Sequence, residues 1–230
     1  MPTLLDQVLE ESSARHSHLC PRQVLGARMA LAALDILGLP RPITKQTGLI
    51  IIETDGCFAD GIEAASGATV GHRTLRINDL GKIAATFASV GTGRTIRLSP
   101  KSDARIRALL YAAGENRRYF AQLQGYQIMP QRELFRVQDV RLDPPLVELL
   151  SKPSARVICN NCGEEIINER EIEVDGTILC RSCAHGSYYA PMAGAAEGLH
   201  ARVSGYPRGI WRARVEGHEQ LTPATTAEVR

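Results

Sequence analysis

Aromatic residues are scarce, at 5% of the 230 residues, with a single tryptophan at Trp211. No aromatic run interleaves with basic residues, as a base-stacking platform for single-stranded nucleic acid requires. Charge imbalance is missing too: 27 Lys and Arg stand against 25 Asp and Glu, a formal net charge of +2. Neither a nucleic-acid footprint nor an acidic tail shows in such totals. No apolar run approaches the roughly 18–20 residues of a membrane span. Met1-Pro2-Thr3-Leu4-Leu5-Asp6 lacks the charged and then apolar character of a secretion signal, so a cytoplasmic protein is expected. Gly91-Thr92-Gly93 is too short for a dinucleotide fingerprint, and no cysteine run has ferredoxin-type spacing.

The chain is long enough for one good-sized core and a small appendage. Apolar periodicity predicts a helix over residues 3–11, with Leu4, Leu5, Val8 and Leu9 on one face. A second helix is expected from Cys20-Pro21 to Leu37, with proline in its first turn and Gly38 stopping it. Its alanines, Ala27, Ala30, Ala32 and Ala33, make it thin enough for a close neighbour. Gly48–Thr54 reads as a strand inside a sheet. Residues 55–61 read as a turn leading to a short helix that ends near Gly67, and Thr69–Ile77 as two turns. Lys82–Val90 and Arg94–Leu98 form an expected hairpin around Gly91-Thr92-Gly93. Helices are expected over 104–113, capped by Asp103, and over 115–124, followed by a strand Leu134–Val140. The predicted fold class is α+β, with a core over 1–145, a proline-bracketed linker over 146–155, a finger over 156–189 and a disordered tail over 190–230.

The six cysteines without a secretion signal point to metal rather than disulfides. Cys159-x2-Cys162 and Cys180-x2-Cys183 are separated by residues 163–179, a spacing typical of a four-cysteine zinc site. Gly163 permits the tight knuckle, Asp175-Gly176 is a hairpin turn between two short strands, and the second pair opens a closing helix. About 35 residues cannot bury enough apolar area to fold alone, so structural Zn²⁺ is expected to hold this finger together. Four thiolates fill a tetrahedron and leave no reactive position.

A second constellation lies near the start. His16-x-His18-x-Cys20-Pro21 places three metal-ligating side chains in five residues, and alternate residues of an extended segment face one side. A helix N-terminus behind Cys20 favours its thiolate. Cys57 follows the apolar strand, with Asp55 and Asp60 beside it and His72 in a later glycine turn. Each has a bland alternative: a capping or solvated histidine, a small buried cysteine, an aspartate helix cap. Together they suggest a second site, holding a divalent metal such as Zn²⁺. Cys57, Asp55 and Asp60 are then the candidates for reactive or acid–base groups.

His16-Ser17-His18-Leu19-Cys20-Pro21, Leu25-Gly26-Ala27-Arg28-Met29, Glu53-Thr54-Asp55-Gly56-Cys57-Phe58-Ala59-Asp60-Gly61-Ile62 and Gly67-Ala68-Thr69-Val70-Gly71 together resemble the FmdE family of formylmethanofuran dehydrogenase proteins over roughly residues 10–140. The resemblance implies an α+β core that dimerises, an appended treble-clef-like zinc finger, and a metal-associated cleft. By the family pattern the core ligands are His16, His18, Cys20 and Cys57. One departure stands out: many members have a cysteine where this chain has Ala68.

Three functions follow as expectations. The first is a metal-binding accessory subunit or small metal-dependent enzyme, linked to formylmethanofuran dehydrogenase-type one-carbon or molybdenum/tungsten metabolism, with other subunits of an oxidoreductase complex as partners. The second is a metal carrier or sensor. The third is a zinc-finger adaptor. Glu164, Glu165, Glu169, Glu171 and Glu173 offset Arg156, Arg170 and Arg181 in the finger, so nucleic acid is not an expected partner.

Overall fold

Thr3 starts the first helix, α1 (Leu4–Ala14), with a capping box: its hydroxyl accepts the Asp6 N–H at 3.1 Å and the Asp6 carboxylate accepts the Thr3 N–H at 2.7 Å. The computed structural model describes residues 1–15, 18–150 and 155–190. The chain divides into two units, Met1–Val147 and Glu148–Arg230.

In the first unit α1 is followed by α2 (Pro21–Leu37), which begins on proline and ends at Gly38 in the left-handed region, φ +61°. Next come β1 (Gly48–Ile52), α3 (Cys57–Ser66), β2 (Leu75–Ile77), β3 (Ala85–Ser89) and β4 (Thr95–Pro100). The unit continues with α4 (Ala104–Leu110), α5 (Arg118–Ile128), α6 (Gln131–Leu134) and β5 (Phe135–Asp139); α7 (Leu146–Leu149) crosses the division. The sheet order is β2-β1-β3-β4-β5, with β1 and β2 parallel and every other pair antiparallel. β1 is interior, as its β-branched run predicted: Ile50 lies opposite Leu75 on one side and Phe87 on the other. Phe58, Phe87, Met29, Ile50, Ile52 and Ile96 are fully buried in one core shared by the helices and the sheet. Burying such a side chain stabilises by about 1.5–3 kcal/mol.

α2 and α3 meet more closely than side chains would allow. A Cβ on Gly26 would lie 2.3 Å from the Phe58 carbonyl oxygen, and one on Gly61 would lie 2.2 Å from that of Gln23. The alanine-rich face of α2 therefore packs inside its own chain, with Ala27, Ala30 and Ala33 fully buried. Any partner chain has to use another surface.

Several boundaries differ from the sequence reading. Residues 57–61 are already helical, because Gly56 with φ +68° turns the chain straight into α3. The stretch 69–77 contains β2, a strand too short to show periodicity. The fifth helix starts at Arg118, after the Glu115 carboxylate has accepted the Arg117 N–H at 2.8 Å, and runs to Ile128. Asp103 sits in the helical region of backbone space and makes no side-chain cap. Its carboxylate accepts instead from Arg107 Nε at 2.5 Å.

The second unit contains the antiparallel pair β6 (Arg156–Ile158) and β7 (Glu165–Ile167), the pair β8 (Ile172–Val174) and β9 (Thr177–Leu179), and α8 (Arg181–His185). Asp175 and Gly176 turn the second hairpin with φ +50° and +74°, as a type I′ turn requires. Its apolar cluster is small: Ile166 and Leu179 are buried beside Cys159 and Cys162. The predicted tail with Trp211 lies outside the described residues, as do His16, Ser17 and linker residues 151–154. No described helix is long and apolar enough to cross a membrane.

Candidate metal centres

In the finger, sequence and geometry coincide. Cys159 follows β6, and Gly163 with φ +73° closes the knuckle, its N–H donating to the Cys159 carbonyl. Asn160 ties that knuckle to the second hairpin by donating its N–H to Ile178 O and accepting the Ile178 N–H on Oδ1, both at 2.8 Å. Cys180 caps α8 and donates its own N–H to Cys159 Sγ at 3.2 Å. The Sγ atoms of Cys162 and Cys180 are 3.9 Å apart, and all four sulfurs lie within 4.8 Å of one another. Burial raises the Cys159 thiol, but backbone N–H groups of Cys162, Cys180 and Asn161 outweigh it and bring the thiol down to about 6. Burial pushes Cys162 up to about 11 and Cys183 higher still. A dication that replaces those protons relieves the crowding of four thiols, so the donor set fits structural zinc.

The core site is assembled from two helix starts. Cys20 is the residue before the first turn of α2, and Cys57 is the first residue of α3. The Gly26–Gly61 contact holds these helices together and brings the two cysteines, far apart in sequence, within hydrogen-bonding reach of each other. Neither is in a disulfide; Cys20 is buried and Cys57 part-exposed. Burial pushes the Cys57 thiol up, and the adjacent Cys20 adds to this, against the opposing charge of Arg22. Cys20 is held by a buried brace: Gln23 Oε1 accepts its N–H at 2.7 Å, while Gln23 Nε2 donates to Ser12 O and Ser12 Oγ at 3.0 and 3.2 Å.

Tyr119 completes this neighbourhood from the first turn of α5. Its hydroxyl donates to Leu19 O at 3.4 Å. Its phenol is raised by burial and then by the charges of Cys20 and Cys57. Sequence reasoning missed Tyr119, Arg22 and Gln23. Tyr119 and Phe120 stack edge to face at 5.2 Å, with the Arg117 guanidinium 4.1 Å from the Phe120 ring centre. The only signal in the sequence was Arg-Arg-Tyr-Phe at 117–120, two aromatics in a chain poor in them.

The other predicted site residues are placed less tightly. His16 lies outside the described residues. His18 is exposed, and the finger is the one group of three or more metal-ligating side chains found within 4.8 Å among the described residues. Asp55 is exposed in the turn before α3, and Asp60 sits in its first turn beside Glu63. Burial raises Glu63, and Arg15 opposes this through an ion pair at 2.8 Å that joins the end of α1 to α3. His72 binds locally, its Nδ1 2.9 Å from Thr69 Oγ1. Ala68 is fully buried in the core cluster.

Residues 15–136 match the family described as FmdE, molybdenum formylmethanofuran dehydrogenase operon. The chain belongs to this family. Residues 153–189 match the prokaryotic DksA/TraR C4-type zinc finger. A probable S-adenosyl-L-methionine-binding protein of Archaeoglobus fulgidus is 28% identical over 81% of this chain and 54% of its own length. The chain thus spans about half the length of that curated relative. A crystal structure of a tungsten formylmethanofuran dehydrogenase FmdE-like protein from Syntrophus aciditrophicus covers 81% of this chain and 95% of its own, at 21% identity and a TM-score of 0.50. That likeness bears on the fold.

Proposed function

We propose that this FmdE-family protein carries two metals: structural zinc in the finger, and a divalent ion, Zn²⁺ by its donor chemistry, in the core. Cys20 and Cys57 would hold the core ion with His16 and His18. The observation that carries the reading is the convergence of Cys20 and Cys57 at two packed helix starts. Thiolate and imidazole together suit zinc. With three of these four as ligands one coordination position would stay open, and the ion would polarise a carbonyl or activate a water there.

The chain's own residues supply the rest. The Gln23–Ser12 brace fixes Cys20, and the α2–α3 contact fixes its distance from Cys57. Tyr119 offers a phenol O–H at the edge of the thiol pair. Asp55 and Asp60 are the nearby acid–base candidates. We assign the protein to formylmethanofuran dehydrogenase-type one-carbon or molybdenum/tungsten metabolism, in the cytoplasm, as a homodimer. It would act there as an accessory subunit of an oxidoreductase complex or as a small metal-dependent enzyme.

Metal analysis of the purified chain tests this. Two zinc ions per chain, falling to one in Cys57→Ser and in Cys159→Ser/Cys162→Ser alike, is the expected result. One zinc in the wild type, unchanged in Cys57→Ser, overturns the core site. A core ion lost to mild chelators would favour a carrier or sensor over a reaction centre.

A further inference from the structure

We propose that Cys20 and Cys57 form a redox-active dithiol, closing to a disulfide that excludes metal from the core site. This rests on the same pair as the metal reading, but it needs only the two thiols.

Neither cysteine is in a disulfide, and their side chains lie within hydrogen-bonding reach of each other, one buried and one part-exposed. That asymmetry suits a dithiol, in which the exposed sulfur meets the oxidant and the buried one resolves the intermediate. Each sits at the start of a helix of ten or more residues. Arg22 adds a positive charge beside Cys57. The Gly26 and Gly61 backbones touch their partner helices directly, which fixes the backbones that carry the two cysteines. The finger is the natural contrast, since its thiols belong to a set of four, all within 4.8 Å of one another.

The oxidant is a small-molecule disulfide, RS–SR. Cys57 attacks one of its sulfurs, giving a Cys57–SR mixed disulfide and one RSH. Cys20 then attacks Cys57 Sγ, forming the Cys20–Cys57 bond and releasing the second RSH. Two thiols are oxidised, one external disulfide is reduced, and both thiol protons leave on the two RSH products. With both sulfurs in one bond, neither can ligate a metal as a thiolate.

The test uses the full chain carrying only its finger zinc, oxidised glutathione as probe, and tryptic peptide mass analysis. The expected product has lost two hydrogens and links peptide His16–Arg22 to peptide Gln46–Arg73. Because the second step is intramolecular, no more than about a tenth of the chain should remain as mixed disulfide. The finger cysteines stay unlinked. A mixed disulfide that persists on Cys57, or no reaction there at all, overturns the inference. Adding one further equivalent of Zn²⁺ first should slow the cross-link at least about tenfold. A cross-link that forms at the same rate with added zinc leaves the dithiol standing and removes the proposed core metal. Failure to cross-link the one-zinc chain removes the dithiol and leaves the metal reading intact.

Discussion

The core and the finger use cysteine in opposite ways. In the first unit the fold positions the thiols: a large apolar core, two helices in backbone contact and a buried Gln23–Ser12 brace place Cys20 against Cys57. In the second unit the thiols position the fold, because Ile166 and Leu179 are nearly all that is buried beside the sulfurs. The apolar cluster of the finger is far too small to offset the chain entropy of its residues. A thiol that a fold can spare is available for chemistry, and a thiol that a fold depends on is not.

The sharpest way to break that contrast is to remove the finger metal. Zinc binding contributes on the order of 10–16 kcal/mol in finger peptides, so chelation, or Cys159→Ser with Cys162→Ser, should unfold the region from Arg156 to about Tyr189. The core should remain folded, since none of its buried cluster comes from the finger. Hydrogen exchange on the chelated chain reads this directly. Amides at Ile158, Ile166 and Leu179 should lose protection while those at Ile50 and Phe87 keep it. Equal protection in both units without metal would contradict the idea that ligation holds the finger.

The converse experiment loads the core. Gly61→Ala places a Cβ 2.2 Å from the Gln23 carbonyl oxygen, and neither backbone can yield without moving a helix. Overpacking of this kind costs typically 1–3 kcal/mol and occasionally more; here about 3 kcal/mol is expected, because the clash is with backbone on a neighbouring helix. Urea unfolding followed by a core-specific probe should show the loss, with the zinc content of the finger unchanged. The same substitution should push Cys20 away from Cys57.

Legibility followed the same division. The finger could be read because its ligands are local: two Cys-x2-Cys knuckles, a type I′ turn at Asp175-Gly176 and a capped helix each show within a few residues. In the core, α2 was legible from Pro21 to Gly38, and β1 from its run of isoleucines. The His16-x-His18-x-Cys20 spacing and the turn after the apolar strand brought Cys20 and Cys57 to notice, and the family resemblance grouped them as ligands. The parallel strand β2 was not legible, since three residues carry no period and its partner in β1 is over twenty positions away. Tyr119 was missed for a related reason. It reaches the site through the packing of α5, and that packing depends on Gly125 lying against Ala108, a contact no local pattern announces. Asp103 failed as a cap because Arg107 was a better partner for its carboxylate than the backbone.

A smaller effect is expected at the brace. Gln23→Ala removes the acceptor of the Cys20 N–H and the donor to Ser12 in a fully buried setting. Leaving such groups unpaired costs about 1–3 kcal/mol. Thermal unfolding of the core should report it.

The smallest expected change in stability comes from Cys57→Ser, and it separates the two units most cleanly. Cys57 is part-exposed at the first position of α3, where serine is tolerated and no cavity of consequence opens. Surface substitutions usually stay within about 0.5 kcal/mol, and on the chain carrying only its finger zinc this one should do the same. Metal content should nevertheless fall by one ion per chain, and the glutathione-driven cross-link should vanish. The matching change in the finger, Cys159→Ser, alters the same atom yet should unfold its unit, because Cys159 is buried, accepts the Cys180 N–H and belongs to the four-sulfur set. Calorimetry with metal analysis on the two variants makes the comparison. If Cys57→Ser destabilised the core as severely as Cys159→Ser destabilises the finger, Cys57 would be a structural ligand. The core thiols would then serve the fold as the finger thiols do, and the distinction between the two units would be lost.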